Sequence, residues 1–362
     1  MRTMRIGVFC HRRDQTSLDL ARRLNSLDQN CCITYDLDVG PGESIALTAQ
    51  EIRWNDTDLS SLDIAWVAGY CYMDPVVPPV VGWVDWSRWQ FDHLLEQQKY
   101  SAIESCLAEL DRRGVPLVNP RRAALVQFAK ADQLLRLGRA GCAIPRLLCS
   151  NDIAHVDAFC SRYEQVTWRP ATGRAAWQRF TGKQKRHLVS AEKPPIILAE
   201  AVSDELILTW CFDGEPLLCI RIDPPASRPV ETLGKPEDFG ELLRFETLEM
   251  LTVADPRPLA GDLQRIAGAS DGARWMVATF MPGTDGAMFV YDVDTDPDIA
   301  WLPARLRRWL RECVAHRLLN RSFDRKNSPE IGLCLQRPAL FLRRMLQIQY
   351  EMEDSKYMAE DE

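Results

Sequence analysis

Hydrophobic and polar positions follow two alternating spacings over the first 120 residues. A short apolar run at 5–10 is followed at 16–27 by apolar residues three and four positions apart, which is the spacing of a helix with one buried face. Apolar runs return at 31–39 and 62–70, and a second helical pattern over 100–114 ends at Gly114, a residue suited to a helix C-terminus. Strands that alternate with helices in this way predict a parallel sheet with crossover helices. Residues 1–120 are therefore predicted to form an N-terminal α/β domain.

The pattern changes after residue 120. Helical spacing covers 122–140, and then short apolar runs separated by Gly, Pro and Asp continue to residue 300. Two of these runs flank Asp213-Gly214, a pair typical of tight hairpin turns. The segment 235–256 is predicted to be loop and helix. This succession predicts an α+β region over 121–300, built mainly on antiparallel strands.

Two amphipathic helices are predicted beyond residue 300, at 302–322 and 338–357, before an acidic tail. The first is strongly basic. An amphipathic helix needs something to cover its apolar face. Residues 301–362 are therefore predicted to offer a surface to a protein partner or to a second copy of the chain. A basic helix face in contact with water is the alternative.

The composition is that of an ordinary soluble globular protein. The 362 residues are 46% hydrophobic and 26% charged, and the net charge of −7 disfavours a broad nucleic-acid surface. No apolar run approaches the roughly 18 residues that span a bilayer, and the first residues do not resemble a signal peptide. The 12 cysteines are scattered, without the paired C-x-x-C spacing of a zinc site. We expect a cytoplasmic protein with reduced thiols and no membrane or nucleic-acid partner.

The apolar run at 288–294 carries acids toward its end. Aspartates stand at 292, 294, 296 and 298, and alternate residues of a strand share a face. Like charges on one face repel, so a divalent cation, a basic side chain or bulk water is expected beside them. Asp296 and Asp298 flank Pro297 and are predicted to lie in a solvated turn.

The order of these elements resembles the ATP-grasp superfamily, especially its branch of ribosomal-protein glutamate ligases and glutathione synthetase. An α/β domain ends in "VNP", a helix with a lysine follows, and "AIP" leads to a strand that ends in Arg169-Pro170 before a glycine turn. A strand ending in "AE", a hairpin and a last strand with two spaced acids complete the order. The resemblance covers about residues 1–300. It implies a pair of antiparallel-sheet subdomains that bind ATP and Mg²⁺.

The resemblance implies a set of ATP-binding residues. Lys130 and Arg169 correspond to lysines that contact the phosphates, although arginine is not equivalent to lysine in geometry. Gly173 corresponds to a flexible loop over the phosphates, and Glu200 to the hinge that meets adenine and ribose. The alternatives are a solvated helix face for Lys130, an ordinary hairpin for Gly173 and a domain edge for Glu200.

The remaining implied roles concern the metal and the reacting groups. Asp292 and Asp294 stand where the family has Glu-x-Asn, whose side chains hold Mg²⁺. Arg221 resembles the arginine that faces the acyl phosphate or the acceptor carboxylate, and its alternative is an ordinary ion pair with an acidic neighbour. With these residues, the chain resembles an ATP-dependent carboxylate–amine ligase that forms an acyl phosphate, with a peptide or an amino acid as substrate.

Two departures from the family pattern weaken that function. A further metal-binding carboxylate is usual on the preceding strand, where this chain has Thr279 or Phe280, and Thr209 stands where the hinge hairpin has an arginine. The second hypothesis is therefore a nucleotide-binding or interaction protein that has this fold and no catalytic activity.

Overall fold

The computed structural model describes residues 4–12, 14–40, 42–69, 86–171, 177–182, 185–186, 189–190, 192–203, 205–223, 248–323 and 328–338. Two of the sequence predictions fall elsewhere: Gly173, and all but the first residue of the helix predicted at 338–357, lie outside the described residues. Within the described part, no helix is both long and apolar enough to cross a membrane.

The N-terminal α/β prediction is confirmed. The elements are β1 (Ile6–Cys10), α1 (Gln15–Leu27), β2 (Cys32–Asp36), β3 (Ile45–Leu47), β4 (Ile52–Trp54), β5 (Thr57–Asp58), β6 (Ile64–Val67), α2 (Trp86–Arg112) and β7 (Leu117–Val118). Four strands pair in parallel in the order β2-β1-β6-β7, and β3, β4 and β5 form a small antiparallel sheet. Every residue of β1 is buried, because the sheet is covered on both faces.

A four-stranded antiparallel sheet follows. Its region contains α3 (Arg121–Leu125), α4 (Lys130–Arg139), β8 (Leu147–Ser150), α5 (Ile153–Cys160), β9 (Val166–Pro170), β10 (Gln178–Arg179) and β11 (Ile196–Glu200). The strand order is β10-β9-β11-β8. The prediction of one helix over 122–140 is wrong, because Ala129 leaves the helical region with φ −116° and ψ 57°. Lys130 is therefore the first residue of a new helix.

A six-stranded antiparallel sheet forms the largest layer. It contains β12 (Leu206–Phe212), β13 (Glu215–Asp223), β14 (Leu248–Val253), β15 (Trp275–Pro282), β16 (Met288–Asp294) and β17 (Cys334–Pro338), with α6 (Ala260–Ala269) and α7 (Ala304–Leu318). The strand order is β16-β15-β12-β13-β14-β17. The predicted hairpin is confirmed: Asp213 and Gly214 both have positive φ, 52° and 74°, as a tight hairpin turn requires. Residues 248–253 form a strand, where loop and helix were predicted.

The apolar face of α7 is covered by the chain itself. Leu306, Leu310 and Val314 are buried in a cluster that also contains residues of α1, the parallel sheet and β13. Arg23 of α1 forms an ion pair with Glu312 at 2.7 Å. The prediction that this helix offers its apolar face to a partner is therefore wrong. Arg305, Arg307 and Arg308 of this helix are exposed. The strand β17 beyond it extends the six-stranded sheet.

One buried amide joins the parallel sheet to the six-stranded sheet. Asn119 follows β7, and its Oδ1 accepts the backbone N–H groups of Arg274 (2.7 Å) and Trp275 (2.9 Å). Its Nδ2 donates to the carbonyl oxygens of Trp275 and Thr295. The amide thereby uses its full hydrogen-bonding capacity. The start of β15 and the acidic segment after β16 are consequently fixed beside the carboxyl edge of the parallel sheet.

Leu310→Ala tests this role of α7. We expect the free energy of unfolding to fall by about 2–5 kcal/mol, because a fully buried side chain is replaced by a cavity. Urea denaturation of the full chain measures the change. Leu135→Ala, at an exposed leucine of α4, is the matched control and should stay within about 0.5 kcal/mol of wild type. Equal small effects of the two substitutions would contradict an intramolecular role for α7.

Candidate active site

A bulge in β16 determines which side chains enter the cleft between the two antiparallel sheets. Thr279 pairs with Asp292, but Phe280 pairs with Val290, so Tyr291 is an extra residue on β16. Val290 and Val293 remain in the core beneath the sheet. Tyr291 packs on the other side against Ala199 of β11. The bulge turns Tyr291 and Asp292 toward the four-stranded sheet, a common use of bulges beside active sites.

Asp292 lies between two buried cations. Its Oδ1 is 2.6 Å from Lys130 Nζ, and its Oδ2 is 2.7 Å from Arg169 Nη1. The side chains of Lys130 and Arg169 are only 2% and 1% exposed, and that of Asp292 is 20% exposed. The three groups come from the start of α4, from β9 and from β16. The solvated helix face considered for Lys130 is thus excluded, and the structure brings three of the predicted residues together.

Side chains at the start of α4 also form hydrogen bonds with backbone groups at the free edge of β16. Lys130 Nζ donates to Val293 O at 2.9 Å, and Gln133 Nε2 donates to the same oxygen at 2.8 Å. Gln133 Oε1 lies 3.2 Å from Lys130 Nζ. Edge strands expose backbone groups that need partners, and here two side chains of one helix turn supply them. Lys130 is therefore fixed at its position by the strand that carries Asp292.

An aromatic side chain also contacts Arg169. The guanidinium carbon lies 5.6 Å from the centre of the Trp177 ring, a cation–π arrangement. Trp177 Nε1 donates to Tyr291 O at 3.1 Å, and the two rings meet edge to face at 5.7 Å. Trp177 thus links Arg169 of β9 to the backbone of β16 beside Asp292.

Burial and charge act in opposite directions on the pKa values of this cluster. Burial works to raise the pKa of Asp292, but Lys130 and Arg169 outweigh it and hold that pKa below its usual value. Burial lowers the pKa of Lys130, and the negative charges of Asp292 and Asp294 oppose this change. Asp292 is therefore a carboxylate at neutral pH.

Solved structures show the same architecture. The ATP-grasp ligase PsnB complexed with minimal precursor matches with a TM-score of 0.67 at 16% identity, over 89% of this chain and 100% of that chain. The macrocyclase MdnC from Microcystis aeruginosa MRC, bound with precursor peptide MdnA, matches with a TM-score of 0.66 at 13% identity, over 87% and 99% of the two chains. D-alanyl-alanine synthetase A from Vibrio cholerae matches with a TM-score of 0.53 at 12% identity, over 88% and 100%.

The chain has the ATP-grasp fold. This confirms the fold that the sequence predicts, while the resemblance to the glutamate ligase and glutathione synthetase branch stays a prediction. No family model and no curated protein matches the chain.

Glu200 is the last residue of β11. Residues 201–205 connect this strand to β12, and so join the two antiparallel sheets. The Glu200 carbonyl accepts the Tyr291 hydroxyl hydrogen, and the Val202 N–H donates to the same hydroxyl at 3.2 Å. Tyr291 therefore holds this connection against β16. The nucleotide-binding role of Glu200 itself stays a prediction.

Asp294 completes the pair of predicted metal ligands. Asp292 and Asp294 stand two residues apart and flank the inward-facing Val293, so they share the cleft face. Of the two residues that stand where the resemblance implies a further carboxylate, Thr279 lies opposite Asp292 and Phe280 is in the core. Among the described residues, no group of three or more His, Cys, Asp or Glu side chains is arranged to hold a metal. Two carboxylates fit Mg²⁺ that also binds phosphate oxygens and water.

The other predicted residues are not brought to this cluster. Arg221 pairs in register with Ile207, and Ile207 with Phe280, which places it on the sheet face opposite Asp292. Its Nε lies 3.9 Å from Glu205 Oε1, as in the ion-pair alternative, and its substrate-binding role stays a prediction. Thr209 is fully buried and donates to Cys219 Sγ at 3.3 Å.

Sequence reasoning missed Gln133, Trp177 and Tyr291. Gln133 stands three residues after Lys130, a spacing that puts both on one helix face, so that signal was present. Tyr291 directly precedes Asp292, but only the bulge turns both side chains toward the same sheet. No sequence pattern singles out Trp177, because its contact with Arg169 depends on the pairing of β9 with β10.

Asp292→Asn tests the buried cluster without nucleotide. The substitution keeps the shape and removes the negative charge, so two buried cations lose their partner. We expect the free energy of unfolding to fall by about 3–5 kcal/mol in urea denaturation at neutral pH. Asp56→Asn, at an exposed aspartate, is the matched control and should change it by less than about 0.5 kcal/mol. A loss as small as the control's would show that Asp292 does not balance these cations.

The difference in stability between wild type and Asp292→Asn should depend on pH. The pKa of Asp292 is lowered in the folded state. The contribution of Asp292 to the free energy of unfolding is therefore complete above the unfolded pKa of about 3.9, and it is lost as pH falls through the lower pKa of the folded state. We expect a constant difference between about pH 5 and 8 and a decreasing one below about pH 4. Denaturation curves at each pH measure it. A difference that grows on acidification would contradict the assignment.

Proposed function

We propose that this chain is an ATP-dependent ligase that joins a carboxylate to an amine through an acyl phosphate, with a peptide as substrate. The observation that carries the proposal is the Lys130–Asp292–Arg169 cluster in the cleft between the two antiparallel sheets. ATP binding needs cations for the phosphates and carboxylates for Mg²⁺. The cluster contains both kinds of group within hydrogen-bonding distance of each other.

The cluster suggests how its partners are exchanged on binding. Lys130 and Arg169 would donate to phosphate oxygens in place of Asp292, and there would stabilise the charge of the phosphoryl group. Asp292 and Asp294 would hold Mg²⁺, which when bound neutralises phosphate charge. Asp292 thus has a positive partner both before and after nucleotide binds. The buried carboxylate is never left without compensation, which keeps the cost of the exchange low.

Peptide is the favoured substrate class because of the structures that share the fold. PsnB was solved with minimal precursor, Mg and ADP, and MdnC with precursor peptide MdnA. Both matches cover most of this chain. A ligase that modifies carboxylate side chains of a peptide combines this class with the cluster described above.

A second candidate function is nucleotide binding without ligation. Thr279 supports it, because a neutral side chain stands opposite Asp292 where a further carboxylate would help to hold metal. Such a protein would bind ATP with Mg²⁺ through the same cluster and transfer no phosphoryl group. The experiment below separates the two functions.

Trapping the acyl phosphate tests ligation directly. The full chain is incubated with ATP, Mg²⁺, hydroxylamine and a pool of short peptides rich in Asp and Glu. We expect peptide hydroxamates by mass spectrometry, with ADP as the nucleotide product, because hydroxylamine replaces the amine in attacking the acyl phosphate. Lys130→Met should lower the hydroxamate yield by roughly 10²–10³-fold.

Lys193→Met, at an exposed lysine, serves as the matched control and should leave the yield unchanged. Formation of AMP and pyrophosphate would exclude the acyl-phosphate route. ATP binding without hydroxamate formation from any peptide of the pool would favour the second candidate.

A further inference from the structure

A cavity of about 290 Å³ begins directly beyond the acidic end of β16. Asp296 N–H donates to Asp294 Oδ1 at 2.9 Å, and Asp296 Oδ2 accepts the Gly69 N–H at 3.0 Å. The cavity therefore adjoins the proposed metal ligands on one side and the carboxyl edge of the parallel sheet on the other. Its apolar wall is formed by Leu20, Trp66, Trp275, Ile299, Leu310 and Val314. A small aliphatic group fits such a wall.

A histidine held by a carboxylate stands at the polar end of this cavity. His11 follows β1, and its Nδ1 lies 2.9 Å from Asp38 Oδ1. A carboxylate accepts, so Nδ1 carries the hydrogen and Nε2 of the neutral ring carries the lone pair. Arg12 lies 3.3 Å from Asp38 Oδ2 and 3.0 Å from Asp36. The carboxylate that orients the ring is thus itself fixed.

The backbone at Gly69 fixes the other edge of the ring. Gly69 has φ +64°, and a Cβ at this position would lie 3.2 Å from His11 Cδ2 and 3.7 Å from Nε2. Only glycine adopts this conformation readily and allows the ring so close. The Gly69 N–H is the group that binds Asp296. The Nε2 edge of His11 is therefore placed next to the segment that follows the proposed metal ligands.

The charges around the cavity favour a cation. Asp14, Asp296 and Asp298 line it, each fixed by a hydrogen bond from a backbone N–H group. Arg311 also lines it, but its guanidinium forms an ion pair with Asp19 at 2.9 Å. The described side chains facing the cavity therefore carry more negative than positive charge. An ammonium group with an aliphatic stem matches both this charge and the apolar wall.

Burial works to raise the pKa of Asp38, but the hydrogen bond from His11 and the positive charge of Arg12 act against it, and this pKa lies below its usual value. Asp38 is thus ionised at neutral pH and can hold the Nδ1–H form of His11. The ionisable groups around His11 within the described residues include Cys10, Arg12, Asp14, Asp36, Asp38, Asp296, Asp298 and Arg311.

We propose that His11, oriented by Asp38, accepts the proton of the acceptor ammonium, and that this cavity holds the aliphatic stem of that amine. The proposal rests on the ligase function above. Nε2 takes one proton from R–NH₃⁺. The nitrogen lone pair of R–NH₂ then attacks the acyl phosphate carbon, a C–N bond forms, and the C–O bond to phosphate breaks. The second proton leaves with phosphate as HPO₄²⁻, and His11 returns its proton to water.

Nuclear magnetic resonance of the full chain labelled with ¹³C-histidine tests this site. His11→Gln identifies the His11 signals among those of the five histidines. The probe is n-butylammonium chloride, and 1-butanol is its uncharged match. We expect saturable shifts of the His11 signals with butylammonium, and roughly tenfold weaker binding of butanol, because the acidic wall favours the cation. The ¹³Cδ2 shift of the free protein should report the Nδ1–H form of the ring.

Two variants separate the positioning role of Asp38 from a general structural one. Asp38→Ala should return His11 to the Nε2–H form that free histidine prefers, while Asp38→Asn, which keeps an accepting oxygen, should retain Nδ1–H. The indole signal of Trp66, whose Nε1–H donates to Ser17 Oγ at 3.1 Å, reports whether each variant is folded. If Asp38→Ala does not fold, Asp38→Asn still tests the tautomer of His11, and butanol still tests whether the cavity prefers a cation.

Unchanged His11 signals with butylammonium, equal binding of butanol, or an Nε2–H ring in wild type would each overturn the proposal. ATP with Mg²⁺ is titrated into the same sample. ATP binding without amine binding contradicts only the role of His11. Amine binding without ATP binding supports the amine site and contradicts the ligase function.

Discussion

A carboxylate between two buried cations is the interaction on which the cleft depends. Lys130 and Arg169 are almost fully buried, and burying a charge is costly unless an opposite charge compensates it. Asp292 pairs with both cations and comes from a third element. Loss of Asp292 leaves two buried cations without this partner, so α4 and β9 depend on β16 to hold them. The same groups are the ones that nucleotide phosphates and Mg²⁺ need.

A few local structural features position these groups. The break at Ala129 makes Lys130 the first residue of α4 and lets it reach the free edge of β16. The bulge at Tyr291 turns Asp292 into the cleft. Asn119 fixes the end of β16 beside the parallel sheet, which places the His11 cavity next to the proposed metal ligands. The break at Ala129, the bulge at Tyr291 and the Asn119 amide together bring residues from all three sheets close to one another.

Much of this architecture was predictable, because periodicity records which face of an element is buried. The parallel N-terminal sheet and the hairpin at Asp213-Gly214 followed from apolar spacing and turn residues. Lys130, Arg169 and Asp292 were found from the order of motifs, yet their mutual ion pairs were not, since pairing between distant segments leaves no local pattern. The helix at 304–318 was assigned to a partner because its amphipathic pattern shows that a face is covered, and does not show by what. The side of the sheet on which Arg221 lies depends on strand register, which the sequence does not record.

Isothermal titration calorimetry of ATP, with and without Mg²⁺, on wild type and Asp292→Asn tests whether Asp292 passes from Lys130 and Arg169 to Mg²⁺ when nucleotide binds. We expect Mg²⁺ to strengthen ATP binding to wild type and to have little effect on ATP binding to Asp292→Asn, because the variant lacks the metal ligand. If Mg²⁺ strengthens ATP binding equally in both proteins, Asp292 is not a ligand of Mg²⁺. It would then serve only to balance the two buried cations.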